Sequence, residues 1–187
     1  KLLGGPVLIT GHTGFKGTWL TLLLEQLGVE VAGYSLAPEV DSIYSRIGLQ
    51  GRILEEFADI RDLASVQKFI NRIQPVAIIH LAAQPLVIES YKSPRETFET
   101  NVLGTVNLLD SAFQSNSTKA FLSITTDKVY KNDNQGQAFK ESDALSGKDP
   151  YSASKVGSEA AIAAWQQIAK SSGGPRVVAT RAGNVIG

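Results

Sequence analysis

Tyr151-Ser-Ala-Ser-Lys155 sets a phenol and an ammonium four residues apart, a spacing that puts both on one face of a helix. A positive charge beside a phenol stabilises phenolate. It draws tyrosine down from its ordinary pKa of ~10 toward the range in which it takes a proton from a hydroxyl. The same pair also suits a solvated helix face, but here it follows Asp149-Pro150, a helix start. A second group of reactive side chains, Thr126-Asp127-Lys128, follows the apolar run Ala120–Thr125. Its hydroxyl, carboxylate and amine can bind a hydroxyl, donate a proton and remove one. Taken alone, the triplet reads equally well as an exposed charged turn.

A third motif gives both groups a context. Val7–Thr10 is an apolar run that passes straight into Gly11-His-Thr-Gly14-Phe15-Lys16-Gly17 and then into the helical pattern Thr18–Leu27. Strand, glycines and helix in this order make a dinucleotide site. Gly11 allows the tight turn, Gly14 removes a side chain where a pyrophosphate approaches the backbone, and Gly17 lets the helix pack closely. The free N–H groups at the helix start then face the phosphates.

The elements that must position these residues alternate along the chain. Val7–Thr10, Glu30–Ser35, Ile53–Phe57, Ala77–Leu81, Ala120–Thr125 and Val177–Thr180 read as strands. Asp62 is the expected N-cap of a helix through Ile73, and Pro75 ends that segment. Thr97–Ser115 and Tyr151–Lys170 are the other long helices, the latter closed by Ser171-Ser-Gly-Gly-Pro175. The expected fold is α/β: a doubly wound, Rossmann-like parallel sheet in three α/β/α layers. Lys131–Asp149 is polar and rich in turn residues, a loop long enough to be functional.

Composition narrows the field. With 187 residues, 43% of them hydrophobic and 19% charged, the chain is sized for one domain with a substantial core. Eighteen basic residues balance eighteen acidic ones, so net charge gives no reason to expect nucleic acid or an anionic membrane as partner. No cysteine is present, which excludes disulfides and thiolate metal sites and fits a reducing cytoplasm. The longest apolar run, Val76–Ala83, is too short to span a bilayer. The residues before the first strand do not show a charged–apolar–small pattern, so no export signal is expected. His12 and His80 are the only histidines, and without a spaced set of ligands no metal site is expected. Trp19 and Trp165 read as packing residues. The chain ends in Arg181-Ala-Gly-Asn-Val-Ile-Gly187, a strand leaving for a loop, which predicts a fragment whose substrate-covering lobe lies outside it; the absence of methionine predicts that the numbering starts after a missing first residue.

The glycine loop, the Tyr151/Lys155 pair and Asp59-Ile-Arg-Asp62 together resemble the extended short-chain dehydrogenases/reductases. His80-Leu-Ala-Ala-Gln-Pro85, Thr126-Asp127-Lys128 and Arg181-Ala-Gly-Asn184 narrow the resemblance to the CDP-glucose 4,6-dehydratases, along nearly the whole chain. The resemblance implies NAD as cofactor, CDP-glucose as substrate and a homodimer or higher homo-oligomer. It assigns cofactor contacts to Gly11, Gly14, Phe15, Lys16, Gly17 and Ser35, the adenine edge to Asp59 and Ile60, and the cofactor wall to Ala82 and Ala83. Asn101 is also assigned to the cofactor contacts, at a structural or relay position near the active site. Tyr151 would be the base toward sugar O4, Lys155 its tuner beside the nicotinamide ribose, and Thr126 a hydrogen-bond partner of O4. Gln84 and Asn184 would face substrate. Asp127 resembles the acid that protonates the departing 6-hydroxyl, which requires a raised pKa.

Two departures stand out. Related dTDP-glucose dehydratases carry glutamate as the C5 base where this chain has Lys128. Lysine there is either a base made available by its surroundings or a stabiliser of the enolate. Ser35 occupies a position at which many NAD enzymes have an acid for the ribose 2′-hydroxyl, so NAD rather than NADP rests on the resemblance. Three other readings stay open: a UDP-GlcNAc 4,6-dehydratase, disfavoured by the long Lys131–Asp149 insert; a sugar-nucleotide epimerase, which does not require Asp127 and Lys128; and a non-catalytic cofactor-binding module.

Overall fold

The computed structural model describes residues 4–133, 136 and 138–185, so Asn134, Gln135 and Gln137 of the insert and the final Ile186-Gly187 lie outside the described residues. Six strands form one sheet: β1 (Val7–Thr10), β2 (Val31–Ser35), β3 (Leu54–Phe57), β4 (Ala77–His80), β5 (Ala120–Thr126) and β6 (Arg176–Ala182). They lie in the order β3-β2-β1-β4-β5-β6 and every pair is parallel. This is the doubly wound dinucleotide-binding order, in which the chain reverses its winding between β1 and β4. The expected strands agree to within two residues at each end. The sixth strand is the most extended, because Arg181 and Ala182 continue the ladder against Thr125 and Thr126.

The helices are α1 (Phe15–Gln26), α2 (Ile43–Arg46), α3 (Leu63–Ile73), α4 (Val87–Lys92), α5 (Pro94–Phe98), α6 (Gly104–Gln114) and α7 (Pro150–Ser172). Helices α3, α6 and α7 cover one face of the sheet, while α1 and α2 cover the other over β1 and β2. Opposite faces follow from right-handed crossovers that run in opposite directions from β1. Leu8, Ala32, Tyr34, Ile78, Phe121 and Val177 project from successive strands into the first of these layers. There they meet Phe69, Ile70, Leu108, Leu109 and Ile162 in one continuous core.

Local chemistry accounts for the helix ends. The Asp62 side chain accepts from the Ser65 N–H at 3.1 Å and caps α3, as expected, and Gln74 ends it in the left-handed conformation before Pro75. Asp149 caps α7 through the Ser152 N–H at 2.9 Å, and Pro150 occupies the first turn. The expected Thr97–Ser115 helix begins three residues earlier and is broken into α5, one wide π turn over Glu99–Leu103 and α6. The Asn101 carbonyl explains the break, since it accepts from the Thr105 and Ser158 hydroxyls, each at 2.6 Å. Side chains there satisfy a carbonyl that an unbroken helix would use itself. The short helices α2 and α4 have no counterpart among the sequence expectations, because four and six residues carry too little periodicity to be seen.

A buried polar chain ties β1 to β4 and to the helical layer. His80 Nε2 lies 3.0 Å from Thr105 Oγ1, which itself donates to the Asn101 carbonyl, so the ring nitrogen must donate. Its Nδ1 lies 2.7 Å from Thr10 Oγ1 and is therefore the acceptor, while Thr10 Oγ1 also accepts from the Leu81 and Ala82 N–H groups. The geometry requires a neutral imidazole. Burial, helped by the nearby Lys155 charge, drives the His80 pKa down to about 3. The unfolded chain binds a proton below its ordinary pKa of 6.5 and the folded one does not, so this contribution is complete above pH 6.5 and is lost as pH falls toward 3. Comparing urea unfolding of the parent and His80→Gln at about pH 7 and about pH 5 should show the parent's advantage shrinking by about 2 kcal/mol on acidification; a pH-independent difference would refute a neutral His80.

Candidate active site

The carboxyl ends of β1, β2, β4, β5 and β6 open into a cleft of about 700 Å³, within the roughly 300–1,000 Å³ typical of small-molecule sites. At its phosphate end stands the start of α1. Gly14 precedes the helix and offers no side-chain cap, and its first turn carries no acid. Its leading N–H groups are thus available to an anion. Gly11 sits at φ +73°, and a Cβ there would meet the Ala82 nitrogen at 2.8 Å. A Cβ on Gly17 would strike the Gly11 carbonyl and His12 Cα, so this glycine packs the helix on its own loop rather than on the sheet. Gly14 differs: its Cβ would meet only the Gly11 carbonyl, at 3.3 Å. That contact is tight but far milder than those at Gly11 and Gly17, and the rest of the space before the helix is open to a ligand.

His12, buried behind the loop, holds it from below. Its Nε2 lies 3.0 Å from Glu55 Oε2, Phe57 stacks on its ring, and a Cβ on Gly33 would fall 2.5 Å from the ring. Burial pushes His12 down against the opposing pull of Glu55. The Glu55 carboxylate, which burial alone would raise, is held below its ordinary range by Tyr44, the Gly51 N–H and His12. Thus both histidines, His12 and His80, serve as packed hydrogen-bond linkers, and no group of metal-ligating side chains occurs among the described residues.

Most of the expected site residues line this cleft: Gly11, Gly14, Phe15, Lys16, Gly17, Ser35, Asp59, Ile60, Ala82, Ala83, Gln84, Thr126, Lys128, Tyr151, Lys155 and Asn184. Asp59 is paired with Arg61, whose backbone N–H and guanidinium donate to it at 2.8, 2.9 and 2.6 Å. Burial would raise the Asp59 carboxyl, but Arg61 outweighs it and holds it low. Ser35 Oγ lies 2.7 Å from Thr13 Oγ1. Thr13 was not singled out in the sequence, although its place inside the glycine loop was the signal for it.

Two expected residues lie outside the cleft lining, and a third reaches it with its side chain already engaged. Asn101 does not line the cleft. Its amide accepts from the Gln84 N–H at 2.8 Å and donates to the Gln84 carbonyl at 3.1 Å and to Ser154 Oγ at 2.8 Å, so it is a structural tie rather than a cofactor contact. Gln84 reaches the cleft, but its side chain is engaged by Leu86 and Thr97. Asp127 is exposed and outside the lining, accepting from the neighbouring Thr126 hydroxyl at 3.2 Å.

The phenol–ammonium pair also differs electrostatically from expectation. Tyr151 is raised above the ordinary phenol range by burial, despite a hydrogen bond with Thr126, and Asp127 and Asp149 add to the rise. The Lys155 ammonium is turned toward the Ile124 carbonyl at 3.4 Å, while Lys128 Nζ stands 5.9 Å above the Tyr151 ring. Burial, with Lys16 nearby and Glu159 opposing, lowers Lys155 to about 8. Near neutrality the site therefore holds a protonated phenol beside a lysine that loses its proton readily.

A family model described as GDP-mannose 4,6 dehydratase matches residues 8–178, and with them the loop, the cleft and the Tyr151/Lys155 helix. The chain belongs to that family. Its similarity extends to CDP-glucose 4,6-dehydratase of Salmonella typhimurium, at 40% identity over 98% of this chain and 53% of that one. dTDP-glucose 4,6-dehydratase of the same organism is 31% identical over 86% of this chain and 50% of the other. Among solved structures, UDP-glucose 4-epimerase of Thermus thermophilus in complex with NAD superposes with a TM-score of 0.77 at 28% identity, over 87% of this chain and 51% of that one. Pal from Bacillus thuringiensis gives 0.80 at 28%, over 94% and 55%. The chain spans about half the length of the curated relatives it matches. Among the described residues no helix is long and apolar enough to cross a membrane.

Two measurements probe this site. Gly14→Val places a branched side chain in the open space before α1 and should abolish NAD binding in calorimetry while far-ultraviolet dichroism stays unchanged; unaltered affinity would refute the assignment of the loop. The folded Lys155 pKa of about 8 lies below its ordinary 10.5, so burying the ammonium is a full cost below pH 8 that fades as pH rises toward 10.5. Lys155→Met should therefore stabilise the protein by up to about 3 kcal/mol at about pH 7 and progressively less toward about pH 10. A destabilised or pH-indifferent variant would show that the ammonium is better compensated than this.

Proposed function

We propose that this chain is the NAD-binding domain of a CDP-glucose 4,6-dehydratase, with the substrate-binding lobe outside residues 1–187 and a homo-oligomer as the working assembly. The observation that carries the reading is that Thr126 and Lys128, at the end of β5, line the cleft with Tyr151 and Lys155, while Asp127 between them lies at its edge beside Gly183. Oxidation needs the phenol and lysine; only elimination also needs an acid and a base beyond them. The cytidine base is inferred from 40% identity to a CDP-glucose enzyme against 31% to a dTDP-glucose enzyme.

The residues present fit NAD. The open start of α1 and bare Gly14 suit the pyrophosphate, Ser35 and Thr13 the adenosine ribose, Asp59 and Ile60 the adenine edge, and Ala82 and Ala83 the wall opposite. Bound there, NAD would supply a reversible hydride acceptor for the sugar, so the reaction would have no net redox change. Tyr151 takes the O4 proton as C4 becomes a ketone, with Thr126 holding O4 and Lys155 supplying the charge that favours phenolate once substrate is in place. The ketone acidifies the C5 proton. Lys128 either removes it as a free amine and gives it back to C5 when hydride reaches C6, or steadies the oxyanion as a cation while another group takes and returns the proton. Asp127 gives a proton to the C6 hydroxyl, which leaves as water, and the product is the CDP-4-keto-6-deoxy sugar.

The full-length protein should convert CDP-glucose faster than dTDP-, UDP- or GDP-glucose to a 4-keto product that absorbs strongly in alkali. Tyr151→Phe should lower C4 oxidation at least ~100-fold. Epimerised sugar without water loss would overturn the dehydratase reading, and oxidation by Tyr151→Phe at the parent rate would remove Tyr151 as base.

A further inference from the structure

Asp127 and Lys128 lie past the end of the sheet. Thr126 is the last residue of β5 in the ladder, paired with Ala182. The two residues after it are exposed and belong to a single 3₁₀ turn, Asp127–Val129. The turn is closed by local bonds: Lys128 N–H to Thr126 Oγ1 at 3.3 Å and Tyr130 N–H to the Asp127 carbonyl at 3.1 Å. One turn of 3₁₀ helix is weak support for side chains that must meet particular atoms.

Support comes from a group that grips the chain on both sides of the turn. On the near side, the Thr125 hydroxyl donates to Glu159 Oε1 at 2.6 Å in the interior. Glu159, on α7, receives the Arg181 guanidinium through two parallel bonds, Nε to Oε1 at 3.0 Å and Nη2 to Oε2 at 3.1 Å. On the far side, the same guanidinium lies 4.8 Å over the Tyr130 ring, and Tyr130 stacks on Phe139 at 4.7 Å with the planes 8° apart. Arg181 Nη1 also donates to the Glu141 carbonyl at 3.1 Å. The insert then returns alongside the turn. Lys131 N–H bonds to the Ala144 carbonyl at 2.7 Å, Ser146 N–H to the Val129 carbonyl at 2.8 Å, and Tyr130 bridges Leu145. The Arg181–Glu159 pair thus joins helix α7, strand β6, Thr125 two residues before the turn, and the residues after it. Lysine has neither the fork nor the flat face to do so.

We propose that Arg181 and Glu159 are positioning residues for the elimination step: their clamp, completed by Tyr130 and Phe139 of the insert, aims Asp127 and Lys128 without touching substrate. The inference rests on the dehydratase reading for its consequence, though not for its geometry. Because Thr126 is held independently by the β5–β6 ladder, loosening the clamp should leave oxidation nearly intact and impair the chemistry that follows it. Full-length Arg181→Lys should bind NAD within about twofold of the parent and oxidise C4 within about threefold, yet lose water from C6 at least about tenfold more slowly. Amide exchange at residues 126–131 should quicken about tenfold while residues 8–12 stay unchanged. Elimination at the parent rate, a parallel fall in oxidation and elimination, or unchanged exchange at 126–131 would each overturn the proposal. A parent protein that turns over no nucleotide-glucose would overturn the dehydratase reading instead, and the exchange measurement would still decide whether the clamp exists.

Discussion

The reversal of winding between β1 and β4 is the constraint on which the rest of this structure depends. Helices leave the carboxyl ends of these adjacent parallel strands toward opposite faces of the sheet, so a crevice opens between them that neither helix fills. Two polar ends of chain must nevertheless lie side by side at its floor. The neutral imidazole of His80 makes this tolerable by carrying hydrogen bonds from the Ala82 N–H and Thr10 on one side to Thr105 and Asn101 on the other. Every polar atom in that series has a partner, which is the condition for burying it.

The same series reaches the helix that carries Tyr151 and Lys155. The Asn101 carbonyl accepts from Ser158, and the Asn101 amide donates to Ser154. The π turn in the middle of the α5–α6 segment frees that carbonyl for α7. Small serines on the facing side of α7 let the helices approach closely enough to use it. Tyr151 and Lys155 are carried on this helix, one end of which is fixed by the Asp149 cap and by the Ser90 hydroxyl on the Tyr151 N–H at 3.1 Å. Positioning of the phenol is thus continuous with the bonding beneath the glycine loop, and both halves of the cleft share one rigid floor.

Strain and cost gather where the chemistry is read. Among the described residues, the buried Lys155 ammonium has a backbone carbonyl rather than a carboxylate as its hydrogen-bond partner, and the phenol beside it is pushed toward its neutral form. Neither arrangement helps the fold. Each becomes sensible when a ligand supplies the missing charge or hydroxyl, and such tension between stability and activity is expected at a preorganised site. The turn bearing Asp127 and Lys128 is the opposite case: exposed, weakly held by itself, and dependent on its flanks.

Local signals in the sequence were enough for the strands, the order of motifs and the family. Apolar runs mark buried parallel strands, and glycines between strand and helix mark a phosphate loop. Asp62 and Asp149 announce helix starts because a capping carboxylate acts within three residues. The paired roles of Tyr151 and Lys155 were also legible, since helical spacing alone puts them on one face. Their proton affinities were not, because burial and the direction of the Lys155 side chain arise from elements more than twenty residues away. Asn101 and Gln84 looked like ligand contacts by their place in the motif pattern. Only the folded chain shows their amides spent on each other's segment and on Thr97, Leu86 and Ser154. Glu159, Arg181, Tyr130 and Phe139 carry no shared spacing in the sequence. Helix α7, strand β6 and the insert bring them together, because a guanidinium can satisfy a carboxylate, a carbonyl and a ring at once only where three elements meet.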